Sequence, residues 1–324
     1  MAEGGNRRRV RQIGLSSCDR REPFLSTTVA EARRPVRTGV LLAAAGAVGF
    51  AGKAVIVKLA YRHGVDAITL LMYRMLFSLP LFLVAAWWSG RGKPRLSAHD
   101  WRVLFALAFT GYYLASVLDF LGLEYINASL ERLLLYLTPT VVLVYSVIVS
   151  KTQVHARQWL ALAVSYAGVL LVFGHDLQVS GSHIALGASL VFGSVISYSI
   201  YLIYSGEAVK RLGALRITGV ATSLASVLCI AQFLLLRPLS AAAVAPQVIW
   251  LSLLNATLCT FLPVLLVMLA LERVGAGITT QVGMIGPVAT IGLSVIFLGE
   301  RFNVWMAAGT ALVLLGIWLL PRRR

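Results

Sequence analysis

Charge is what this sequence has least of. Only 13% of its 324 residues are charged, and its 13 acids are outnumbered by 29 lysines and arginines. With 58% apolar residues and a mean hydropathy of +0.81, the chain has too little polar surface to solvate a water-soluble domain of its length. Cysteine is nearly absent as well: Cys18, Cys229 and Cys259 make no C-x-x-C pair and no metal spacing, which excludes a disulfide framework and a zinc site. The five histidines fall in loops or at the ends of apolar runs, and neither HExxH nor GxSxG occurs. Intramembrane hydrolysis therefore lacks its usual nucleophile and metal, and the chain reads as a non-enzyme with no cofactor. The net charge of +16 does not signal nucleic acid, because the positives punctuate long apolar runs instead of clustering on one solvated face.

What is present is a string of such runs. Residues 1–37 hold nine arginines and four acids without a sustained apolar period, the composition of a disordered basic tail. Beyond it a bilayer-crossing helix needs about 20 mostly apolar residues, and stretches near 38–61, 66–89, 101–121, 126–149, 157–174, 183–206, 213–236, 247–270, 277–298 and 303–320 meet or approach that length. The connections are short, so function must reside in the helices themselves. With ten spans, 22 of the 29 basic residues fall on the side of the two termini, against Arg62, Arg237 and Arg301 opposite. The positive-inside rule then places both termini in the cytoplasm, as expected for a bacterial inner-membrane protein.

The chain also repeats itself. At an offset of 148 residues, LEYINASLERLLLYLTPTVVLVYSVIVS lies over LERVGAGITTQVGMIGPVATIGLSVIFL without a gap, matching Leu123-Glu124 with Leu271-Glu272, Pro139 with Pro287 and Ser146-Val147-Ile148 with Ser294-Val295-Ile296. Prolines at a common offset carry backbone meaning. The repeat unit is five spans, an odd number, so the second copy enters the membrane in the opposite sense. The expected fold is therefore all-α and integral to the membrane, with ten transmembrane helices in two inverted five-helix repeats at 38–174 and 183–320. Pro139 and Pro287 each delete a hydrogen bond to the carbonyl four residues back, at Leu135 and Gly283, so a kink is expected in both helices.

These stretches, together with GKAVIVKLAYRHGVDAITLLMYRMLFSLPLFL early in the chain and ALERVGAGITTQVGMIGPVATIGLSVIFLGE late, resemble the EamA-type branch of the drug/metabolite transporter superfamily across roughly residues 38–320. The resemblance implies a carrier of small metabolites, commonly moving them outward without ATP. The chain departs from a strict doubling where Ser150-Lys151-Thr152 stands opposite Leu298-Gly299-Glu300, so a shared role for Glu300 does not follow.

Lys53, Lys58, Arg74, Asp119, Glu131 and Arg132 come from the first four spans and all fall in the same half of the membrane. Thr279 and Thr280 replace the last pair in the second copy. A charge at the bilayer centre costs about 2.5–3.5 kcal/mol on insertion scales, so cations and acids are expected to pair around a cavity, leaving positive charge over for an anionic cargo. Tyr73, Tyr112, Tyr136 and Tyr198, with Gln281, are second-tier lining candidates. The expected partners are a small-molecule substrate such as an amino acid or organic anion, the lipid bilayer, and a proton or other ion acting through Asp119 or Glu131; a homodimer stays open. The competing reading is a non-transporting scaffold or sensor that grips anionic lipid or a partner through the basic tail.

Overall fold

Three of the helices start where the sequence supplies a side-chain cap. The computed structural model describes residues 25–150, 159–160, 163–164, 166–172, 174, 183–283 and 285–319. Helix α1 runs Leu25–Tyr61, so it begins well inside the tail expected to be disordered up to residue 37; the TTVAEARR stretch is dominated by residues a helix tolerates. Asp66 opens α2, Ala67–Gly90, by accepting the Ile68 and Thr69 amides, and the Ser97 hydroxyl and Asp100 carboxylate form a reciprocal capping box on α3, Ala98–Leu123. Asn127 caps α4, Ala128–Leu135. Then follow α5, Thr138–Ser150, the helical residues described between 159 and 174 as α6, α7, His183–Leu212, and α8, Ala214–Leu236. Helix α9 covers 246–283, α10 Gly286–Leu298 and α11 Val304–Leu319.

Two kinds of irregularity interrupt these helices. The first is the pair of proline breaks: α4 stops at Leu135 and α5 resumes at Thr138, while α9 stops at Gly283 and α10 resumes at Gly286. Leu135 and Gly283 are the carbonyls that Pro139 and Pro287 leave without a donor. The second is a set of three π-helical turns, Ala108–Leu114 in α3, Thr257–Phe261 in α9 and Ser294–Leu298 at the end of α10, where one added residue widens the turn. The spans expected near 126–149 and 277–298 are thus broken helices, and helix continues through 271–276 where a connection was expected.

Among the described residues, six helices are long and apolar enough to cross a membrane: Arg37–Tyr61, Ala67–Gly90, Ala98–Leu123, His183–Ser205, Ala214–Leu236 and Pro246–Ala270. The bundle is polar inside and apolar outside. Thr69, Ser78, Asp119, Ser129, Glu131, Ser226, Asn255 and Thr290 are buried, whereas Trp88, Leu235, Ile296 and Trp318 are well exposed. In water such a surface would aggregate; in lipid it is the solvated one. The chain is an integral membrane protein. Helix α1 lies along α9 and α10, α2 along α8, and α3 along α7. Close approach needs glycine: a Cβ on Gly49 would stand 2.6 Å from the Pro263 ring and 3.1 Å from the Leu258 carbonyl.

Candidate functional site

Five helices meet at the level of the proline breaks and π turns, and they bring the intramembrane charges together. Lys53 of α1 reaches Asp119 of α3 at 2.5 Å and Glu131 of α4 at 2.9 Å. Glu131 is fully buried and Asp119 nearly so. One ammonium therefore serves two carboxylates, and the second oxygens, Asp119 Oδ1 and Glu131 Oε2, accept no hydrogen bond. Arg74 of α2 is 9% exposed and lays its guanidinium 5.1 Å from the centre of the Phe120 ring, one residue from Asp119. Its Nε donates to the Thr260 hydroxyl at 3.1 Å, and that hydroxyl donates to the Asn255 carbonyl at 2.9 Å. Asn255 stands just before the π turn of α9 and Thr260 within it, so the polar relay holding Arg74 is built across the entry to that turn. The Asn255 side-chain amide is buried with neither its oxygen nor its nitrogen bonded.

Arg132 sits across the breaks. Its guanidinium lies 5.6 Å from the Tyr136 ring centre, and its Nε has no hydrogen-bond partner. Tyr136 donates its hydroxyl to the Gly283 carbonyl at 2.7 Å, so the carbonyl orphaned by Pro287 in one part of the chain is satisfied by a residue of the break in the other. Gly286 makes room for this arrangement: a Cβ there would meet the Tyr136 hydroxyl and stand 3.0 Å from Arg132 Nη2.

The remaining candidates lie elsewhere. Lys58 donates to the Leu123 carbonyl at 2.9 Å, a cation at the C-terminal end of α3. Tyr73 donates to the Ala242 carbonyl at 2.6 Å. Tyr112 and Tyr201 share a hydroxyl–hydroxyl contact of 3.1 Å with Tyr198 stacked beside them, forming a separate tyrosine cluster between α3 and α7. The side chains of Gln281 and Pro139 lie outside the described residues, and Pro287 is buried at the start of α10.

Sequence reasoning left Glu300 without a role. Gly299 adopts φ 70°, a left-handed turn suited to glycine, and turns Glu300 onto the N-terminus of α4, where its carboxylate accepts the Ala128 amide at 2.9 Å and the Ser129 hydroxyl at 2.6 Å. Other contacts gather at this end of the bundle. Arg62 donates to the Leu298 carbonyl at 2.5 Å, and Arg237 pairs with Asp66 at 3.2 Å. Burial alone would raise the Asp66 carboxyl, but hydrogen bonds from the Thr69 hydroxyl and amide, together with Arg237, hold it below the usual carboxylate range.

The EamA-like transporter family model matches residues 37–174 and again 185–321. The chain belongs to the EamA-like transporter family. It is 28% identical over 291 residues to the uncharacterized transporter YcbK of Bacillus subtilis (strain 168), covering 85% of this chain and 90% of that one. It is 24% identical to the uncharacterized transporter YetK of the same organism, over 87% and 86% of the two chains. A protein crystal structure at 15% identity superposes with a TM-score of 0.58 over 90% of this chain and 96% of the other, a likeness of fold.

Proposed function

We propose that this EamA-family protein is a secondary transporter that exports a small metabolite, such as an amino acid or organic anion, by alternating access of two inverted five-helix repeats in a bacterial inner membrane with both termini cytoplasmic. The observation that carries this reading is the charged centre: Lys53 is committed to Asp119 and Glu131, while Arg74 and Arg132 face no carboxylate partner within ion-pair distance among the described residues. Three cations against two acids leave one positive charge over in a low-dielectric interior. An anionic group of the cargo is its natural complement.

The repeat reading draws support from matching irregularities. The helix breaks at Leu135/Thr138 and Gly283/Gly286 are separated by the same 148 residues as the sequence match, and the π turns of α3 and α9 overlap at that offset. Broken helices that meet at mid-membrane are where transporters with inverted repeats place their cargo. Arg62, Asp66 and Ala128 of the first copy hold Leu298, Arg237 and Glu300 of the second, which closes one end of the bundle. Release of cargo on that side requires these contacts to part. A proton taken up by Asp119 or Glu131 would loosen the Lys53 clamp, giving a route by which an ion gradient biases the exchange between states.

The test is reconstitution of the full chain into liposomes, with a thermal-stability screen against amino acids, organic acids, nucleosides and sugars. A ligand bearing a carboxylate or another anionic group is expected to raise the Tm of wild type and to drive counterflow, and both effects should vanish in Arg74→Ala while the variant stays folded. Wild-type transport by Arg74→Ala and Arg132→Gln together would overturn the assignment.

A further inference from the structure

The second concentration of positive charge lies at the opposite end of the bundle from Glu300 and takes no part in the charged centre. Helix α2 ends, α3 begins and α8 begins around a cavity of about 410 Å³ lined by Trp87, Arg91, Leu96, Trp101, Arg216 and Val220. Arg216 is 8% exposed. One of its terminal nitrogens donates to the Pro94 carbonyl at 2.9 Å, and its Nε lies beside Gly90, where an added Cβ would stand 3.6 Å from it. Arg91 lays its guanidinium 3.6 Å from the centre of the Trp87 ring, fixing the planar fork above an aromatic face.

Neither guanidinium has an ion-pair partner among the described residues, because the nearby acid, Asp100, is taken by Arg211 and by its own capping box. Lys93, Arg95 and Arg102 add further positive charge in the same loop and the start of α3. A guanidinium so withdrawn from water calls for an anion. Depth decides which anion. The 24 residues of α2 span about 36 Å at the helical rise, a few ångströms beyond the roughly 30 Å hydrocarbon core. Trp87 through Arg91 therefore lie at headgroup level, with Trp88 and Trp101 exposed beside them as an interfacial belt. An anion arriving at that depth with an apolar body attached is a phospholipid.

From this we infer that the α2–α3–α8 cavity binds an anionic phospholipid, its phosphate held between Arg91 and Arg216 and its glycerol and upper acyl chains lying against Trp101, Leu96 and Val220. Arginine suits this role because its fork meets two phosphate oxygens at once. The lipid would tie together the ends of three helices that no ion pair among the described residues joins at this point. The inference is independent of what the protein carries.

The experiment titrates purified full chain in a non-ionic detergent with dioctanoyl phosphatidylglycerol, dioctanoyl phosphatidylcholine or inorganic phosphate and follows Tm. Phosphatidylglycerol is expected to raise Tm saturably, with neither of the others matching it. Arg91→Gln, a change at an exposed side chain, and Arg216→Gln should each weaken the apparent affinity about tenfold, the scale of one charge-assisted hydrogen bond. Arg91→Lys should fall between, and Arg237→Gln at the far end should leave the titration unchanged. An equal response to phosphatidylcholine would make the cavity a general apolar groove. An equal response to phosphate would make it a soluble-anion site, and an unaltered titration in Arg91→Gln would reduce the effect to diffuse charge. Each of these overturns the inference.

Discussion

A lysine inside a membrane protein is stable only through what surrounds it, and Lys53 has two carboxylates within 3 Å. The pairing couples the three residues so tightly that removing one partner is worse than removing two. Lys53→Met would strand Asp119 and Glu131 against each other with no cation between them, a change expected to destabilise by about 3–5 kcal/mol. Adding Glu131→Gln and Asp119→Asn to that variant should recover most of the loss, and thermal unfolding of the three variants in detergent measures it. Simple loss of packing volume would instead make the effects add. At the water-facing end Asp66 supplies a pH signature. Its carboxyl is held below the usual range by Thr69 and Arg237, so the folded state ionises at lower pH than the unfolded chain. Its stabilisation is complete above the unfolded value and is lost as pH falls through the folded one. Asp66→Asn should flatten the part of a Tm–pH profile that falls below about pH 5, leaving the neutral-pH slope as it was.

At the scale of the helix, what could be read in the sequence was what proline dictates. Pro139 and Pro287 predict that Leu135 and Gly283 lose their donors, and α4 and α9 end at those two residues. The π turns carry no such mark, because AFTGYYL and TLCTF are ordinary apolar sequences whose extra residue is a consequence of packing. Lys58 shows the same limit: depth in a span suggested a cavity, yet its reach to the Leu123 carbonyl is set by where α3 ends in space. The Tyr136 bond to Gly283 is likewise tertiary, and it makes each break depend on the other. Tyr136→Phe keeps the ring beside Arg132 and deletes only the hydroxyl, leaving a half-buried carbonyl unmet at up to about 1 kcal/mol. Gly286→Ala places a methyl against that hydroxyl and Arg132. The two changes together are expected to be less harmful than the sum of each alone, since removing the hydroxyl opens the space the methyl needs, and a double-mutant cycle on Tm reads the difference.

Across the whole molecule, the end of the bundle that carries Glu300 is held by few polar bonds, those of Arg62 to Leu298, Asp66 to Arg237 and Glu300 to Ala128 and Ser129. Contacts of this kind can part in the alternating-access motion proposed above. Glu300 is the most committed of these contacts, since it is both the acceptor for the first amide of α4 and the partner of Ser129. It sits one turn from Glu131, so loosening it reaches the charged centre directly through α4. Glu300→Ala should speed deuterium exchange at the amides of 128–131 while the seam of α2 with α8 keeps its protection. In liposomes it should raise access to the Lys53 centre from the Glu300 side and slow the return step. Counterflow would then be retained better than net flux, because exchange across an already open end does not require the bundle to close again. If both fall in parallel and the exchange at 128–131 is unchanged, Glu300 serves the stability of α4 alone and the closure depends on Arg62 and the Asp66–Arg237 pair.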